Sequence, residues 1–123
     1  MGYGYQQRDI EIIDYKLWKI DGMKRPFRGP KPEWLEPGKY FTCLGAAQTF
    51  GVYTQKPYPQ LLSERLQLPT FNAGVAGAGP LHFLNNKGIL NIANQSIFVI
   101  VQVMSGRSEN NRLFESINGR GRV

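Results

Sequence analysis

The segment that most constrains this chain is Ser96-Ile97-Phe98-Val99-Ile100-Val101-Gln102-Val103-Met104, a β-branched and nearly continuous apolar run. Such a run fits a strand covered on both faces, and strands of that kind belong to parallel sheets flanked by helices. Two shorter strand-like segments precede it. Tyr40-Phe41-Thr42-Cys43-Leu44 is apolar and β-prone and stops at Gly45, and Thr70-Phe71-Asn72-Ala73 runs into Gly74-Val75-Ala76-Gly77-Ala78-Gly79. Between them, Pro59 to Leu66 places apolar residues at helical spacing behind a proline, whose missing N–H costs little at a helix start. Pro80 to Asn94 has a helical pattern interrupted at Gly88. Strand–helix–strand–helix–strand predicts right-handed crossovers and a parallel sheet. The expected fold class is α/β: a small three-layer α/β/α arrangement with an incomplete sheet.

The chain changes character near residue 39. Residues 1–39 are charged and aromatic, and Pro26, Pro30, Pro32 and Pro37 forbid a continuous helix in their second half. Ile10, Ile12, Ile13, Tyr15, Leu17 and Trp18 fit either a strand or an irregular helix. This segment is expected to wrap the core through Tyr15, Leu17, Trp18, Phe27 and Trp34. The expected organisation is therefore a wrapping segment (1–39), an α/β core (40–111) and a C-terminal tail (112–123). With only three strands expected, both sheet edges need cover, from a homodimer or a further C-terminal domain.

Composition narrows the partners. At 41% hydrophobic and 12% aromatic residues the chain is globular rather than disordered. The net charge of +6 favours an anionic partner, yet residues 1–39, 40–104 and 105–123 each carry +2. No basic stripe forms, which argues against nucleic acid despite the Gly119-Arg120-Gly121-Arg122 tail. Cys43 is the only cysteine, so an intramolecular disulfide and a multi-cysteine metal site are excluded. No metal or cofactor is expected. The polar N-terminus lacks the apolar core of a secretory signal, and no apolar run approaches the roughly 20 residues of a membrane helix. A soluble, cytoplasmic protein without a membrane partner is expected.

A parallel sheet delivers the loop after every strand to one carboxyl edge, where open α/β proteins bind ligands. Here those loops are Gly45 to Gly51, Asn72 to Pro80, and Ser105 to Asn111. Their small residues permit close backbone approach, while Gln48, Thr49, Asn72, Ser105, Arg107, Ser108 and Asn110 supply hydrogen bonds. The set predicts a polar pocket lined by backbone N–H groups and suited to an anion or a developing oxyanion, with Ser105, Arg107 and Ser108 suited to sulfate or phosphate. The same glycines also serve tight packing. Gly74, Gly77 and Gly79 fall as G-x-x-G-x-G, not as the dinucleotide pattern G-x-G-x-x-G, and no Gly-Lys-Ser or Gly-Lys-Thr follows a phosphate loop.

Leu44-Gly45-Ala46-Ala47-Gln48-Thr49-Phe50-Gly51 resembles the first block of the SGNH (GDSL-type) hydrolases, which commonly reads Gly-Asp-Ser-x-Thr-x-Gly. Asn72 to Gly77 is similar to their second block, whose glycine N–H helps form the oxyanion hole. Strand three and its loop fall where the third block lies, with Asn110 facing that block's Asn. The resemblance spans residues 40–111 and implies a flavodoxin-like or SGNH-like sheet with ligand contacts at Gly45, Ala47, Gln48, Thr49, Asn72, Gly74, Gly77, Ser105, Arg107, Ser108 and Asn110. More narrowly, Leu-Gly-Ala-Ala-Gln-Thr-Phe-Gly and Val-Gln-Val-Met-Ser-Gly-Arg-Ser resemble an uncharacterised bacterial family with polysaccharide-biosynthesis and sulfotransferase-related members.

The departures decide the chemistry. Ala46-Ala47 stands where the hydrolases carry Asp-Ser, so Ala47 offers no nucleophile. No Asp or His follows residue 104, where the hydrolases place Asp-x-x-His. His82 has no neighbouring Asp or Cys and reads as a half-buried helix residue, and Cys43 as a core thiol. The expectation is a degenerate SGNH-like domain that binds a carbohydrate or anionic ligand without hydrolysing it. The alternatives are a fragment of a polysaccharide-acting transferase or hydrolase with catalytic residues elsewhere, and a basic nucleic-acid-binding protein.

Overall fold

The computed structural model describes residues 14–104. Three strands, β1 (Phe41–Leu44), β2 (Thr70–Asn72) and β3 (Val99–Val101), form one parallel sheet in the order β2-β1-β3. Phe41 pairs with Thr70 on one side, and Thr42 with Val99 on the other. The helices are α1 (Ala47–Phe50), α2 (Tyr58–Leu66), α3 (Pro80–Leu84) and α4 (Lys87–Asn94). The α/β class with an incomplete parallel sheet is what the sequence pattern calls for.

Alternation along the strands sorts side chains to two faces. Tyr40, Leu44, Phe71 and Ala73 join Phe27 of the preceding segment, Phe83 of α3 and Ile89 of α4 in one apolar cluster, with Trp18 packed on it. The other face carries Phe41 and Cys43, opposite Tyr58 of α2. Helices therefore lie on both faces.

Several elements differ from the sequence reading. The break in Pro80 to Asn94 falls at Asn85-Asn86, because the Asn86 side chain accepts the Ile89 N–H (3.1 Å) and starts a new helix there. Gly88 lies inside that helix, where a Cβ would come 2.4 Å from Met23 Cε. The short helix α1 follows β1 without any periodic signal. The largest difference concerns β3. It covers three residues rather than nine, and Val99 (40% exposed), Val101 (57%) and Val103 (95%) are not covered on both faces. Strand β3 lies at one edge of the sheet among the described residues, and the exposed Val99 and Val101 alternate with a half-buried Ile100, so its apolar run has one partly packed face and one open one.

The segment before the sheet forms an arm across it. Trp18 and Phe27 make an antiparallel bridge, and Trp18 Nε1 donates to the Arg28 carbonyl at 3.2 Å. Tyr15 and Phe27 are buried, but Trp34 is 65% exposed and takes no part in the core. Between Gly29 and Glu33 the chain bends, with a cis bond at Gly29-Pro30, and Trp34 follows on the surface. Ile10, Ile12 and Ile13 lie outside the described residues.

Candidate functional site

The strand order reverses at β1, so the loops after β1 and β3 flank the point where open α/β sheets place ligands. What gathers there is a set of polar groups bonded to one another. Gln102, just beyond β3, sends its amide oxygen into the β1 loop, accepting from Ala46 N–H (3.0 Å), Thr49 N–H (3.2 Å) and Thr49 Oγ1 (2.7 Å). Its amide nitrogen donates to Gln48 Oε1 at 2.6 Å. Three donors converging on one oxygen fix the amide orientation, since the reverse flip would aim NH2 at them.

Gly45 makes this approach workable. A Cβ there would lie 2.1 Å from Thr49 Oγ1 and 2.5 Å from Gln102 Oε1. The β2 loop closes from the other side. Asn72 Nδ2 donates to the Thr49 carbonyl (2.9 Å), Asn72 Oδ1 accepts the Gly74 N–H (2.9 Å), and Val75 N–H donates to the Gly45 carbonyl (3.0 Å). Gly45, Gln48, Thr49, Asn72 and Gly74 are thus brought together around Gln102. Ala47 opens α1 and adds no polar group, while Gly77 occupies an exposed turn at φ +82°. Ser105, Arg107, Ser108 and Asn110 lie outside the described residues. Sequence reasoning missed Gln102, whose signal was the one polar interruption in the apolar run near its carboxyl end.

The network continues inward. The Tyr58 hydroxyl lies 3.0 Å from Thr49 Oγ1, and burial raises its pKa. Cys43 is fully buried with its sulfur 3.9 Å from Thr70 Oγ1. Desolvation pushes its thiol from the ordinary 9.0 up to about 11, against weaker opposing hydrogen bonds from Thr70 and Tyr58. A thiol so protonated is a poor nucleophile at neutral pH. Cys43 is therefore expected to resist iodoacetamide at pH 8 in the folded chain and to react once urea unfolds it; equal rates in both states would contradict the burial. The raised value also sets a sign. The stabilisation from the protonated thiol is complete below pH 9 and is lost as pH climbs through 9 toward 11, so urea midpoints should fall across that window.

A second feature lies beside the β2 loop. A cavity of about 340 Å³ opens between the arm (Gly22 to Phe27), Val75, His82 of α3, and Asn86, Gly88 and Ile89 at the start of α4. No grouping of three or more His, Cys, Asp or Glu residues suited to a metal occurs among the described residues, and no described helix is long and apolar enough to cross a membrane.

The family model described as a domain of unknown function (DUF6473) matches residues 1–120. No curated protein and no solved structure matches the chain.

Proposed function

We propose that this chain, which belongs to the DUF6473 family, is a non-hydrolytic domain that binds a carbohydrate or an anionic ligand at the carboxyl edge of its sheet. The observation that carries the reading is Gln102. Three donors of the β1 loop, Ala46 N–H, Thr49 N–H and Thr49 Oγ1, all hold its amide oxygen, and Asn72 Oδ1 holds the Gly74 N–H, so none of these is left for an acyl oxyanion. Beside them Ala47 supplies no nucleophile, and the Cys43 thiol is buried and protonated. Loops arranged for close approach remain, with the means of acyl transfer removed. The setting in polysaccharide biosynthesis or modification rests on the resemblance of the Leu44 to Gly51 and Val101 to Ser108 stretches.

Thermal shifts against sulfate, acidic sugars, neutral sugars, nucleotides and acetyl esters test this reading. Stabilisation by a sugar or an anion is expected, with no turnover of the acetyl ester. The Ala47→Ser variant should be equally inactive, because the restored hydroxyl has no histidine base after residue 104 and faces an occupied cradle. Ester turnover by the parent chain or by that variant would remove the non-hydrolytic reading, and a chain stabilised by no sugar or anion would remove the binding one.

A further inference from the structure

The 340 Å³ cavity beside the β2 loop has a lining whose chemistry selects a ligand. Its volume falls in the range of small-molecule sites, toward the small end. Met23, Phe27, Val75 and Ile89 make the apolar part of its wall, and Lys24, Arg25, His82 and Asn86 the polar part. No aspartate or glutamate lines it.

The charge on the lining is one-sided. Lys24 and Arg25 form no ion pair among the described residues, whereas Lys39 and Lys56 pair with Glu36 and Glu64. Lysine and arginine only donate. Asn86 Oδ1 already accepts the Ile89 N–H, so the amide's NH2 is its remaining donor group. A neutral sugar would need acceptors for its hydroxyl protons, which carboxylates usually supply. A ligand bearing its own carboxylate or sulfate meets the lysine and arginine through charge-assisted hydrogen bonds. The apolar wall suits the C–H face of a sugar ring.

We infer that this cavity binds a single sugar ring carrying a carboxylate or sulfate, with Lys24 and Arg25 holding the acidic group. The inference rests on the binding reading above and deepens it by naming the place and the ligand class. Sequence reading placed the contacts on the loops after the strands; this site instead uses the dibasic pair in the arm, against the β2 loop and the start of α4. The wall is adaptable on one side, since Met23 reaches over Gly88 with a flexible, unbranched side chain.

Amide NMR on the full chain tests it, with glucuronate, glucose 6-sulfate, glucose and inorganic sulfate as probes. The acidic sugars should shift Met23, Val75, Gly88 and Ile89, with glucose binding more weakly. The double variant Lys24→Gln/Arg25→Gln should weaken the acidic sugars roughly tenfold or more, given the strength of hydrogen bonds to charged groups. Lys19→Gln, outside the cavity, should leave them unchanged. Both lysines are exposed and Arg25 is only half-buried, so folding is not at stake. Shifts confined to Gln48 and Asn72, or full affinity in the double variant, would overturn this site and leave the binding reading standing. Inorganic sulfate binding as tightly as the sulfated sugar would overturn the sugar assignment. No shift with any probe would overturn both.

Discussion

Replacing Arg28 by alanine should lower the unfolding free energy by roughly 2–3 kcal/mol, because the carbonyls it meets lose a charged donor and its packing against two rings goes with it. Arg28 is 2% exposed, yet it has no carboxylate in ion-pair range among the described residues. Its charge is met by four carbonyls instead. Nη1 donates to Phe50 and Gly51 (both 3.0 Å), and Nη2 to Thr54 (2.7 Å) and Gln55 (2.8 Å). The guanidinium also lies 4.7 Å from the Tyr15 ring centre and 5.6 Å from that of Phe50. Burial lowers its pKa, opposed by Tyr15 and Asp14.

One side chain therefore ties the arm to the turn that follows α1. Alanine removes the tie and leaves carbonyls of that turn without donors. Lysine should recover only part of the loss, because a single ammonium cannot reach four carbonyls arranged for a planar fork. Urea unfolding of the three proteins decides the matter. A loss under about 1 kcal/mol for alanine, small beside the usual value of hydrogen bonds to charged groups, would show that the carbonyl cradle contributes little.

Gly74→Ala should cost roughly 3 kcal/mol, at the upper end for forcing a methyl into a filled space. A Cβ on Gly74 would lie 2.3 Å from Phe50 N, 2.8 Å from Thr49 C and 2.9 Å from Phe50 Cα. All three atoms are backbone in or beside α1, so no side chain can swing aside. Relief would require the β2 loop to back away from α1, stretching the Asn72 Nδ2 to Thr49 carbonyl bond and the cluster around Gln102. Gly38→Ala is the useful contrast. Gly38 has φ +77° with nothing within 4 Å of a Cβ, so alanine there carries only the left-handed backbone penalty of about 1–2 kcal/mol. Should Gly74→Ala cost no more than Gly38→Ala in the same urea titration, crowding against α1 is not what requires glycine.

These two residues mark how far sequence reading reaches. The glycines of the β1 and β2 loops stand out by spacing, and their role at a crowded crossing is legible from the strand–turn pattern. Arg28 is different. Inside Lys24 to Pro32 it looks like one more solvated cation, and nothing local distinguishes it from Arg25. Its burial depends on carbonyls 22 to 27 residues away, brought to it only when the arm crosses the sheet. The candidate site divides the same way. Gln48, Thr49 and Asn72 could be chosen from loop position, but the saturation of Gln48 and Thr49 by Gln102 depends on β3 lying next to β1. The cavity lined by Lys24 and Arg25 depends on the arm meeting α4.

By itself the sequence determined the α/β class, the three strands, the glycine-bearing loops and the alanine at position 47, because these follow from local periodicity and residue identity. Strand order, the exposure of β3, the Gln102 plug, the buried Arg28 and the place of the basic cavity were decided by tertiary structure. Each of them joins segments distant in the chain. The free energy that settles each, apolar burial for the arm and hydrogen-bond saturation for the loops, exists only once those segments meet.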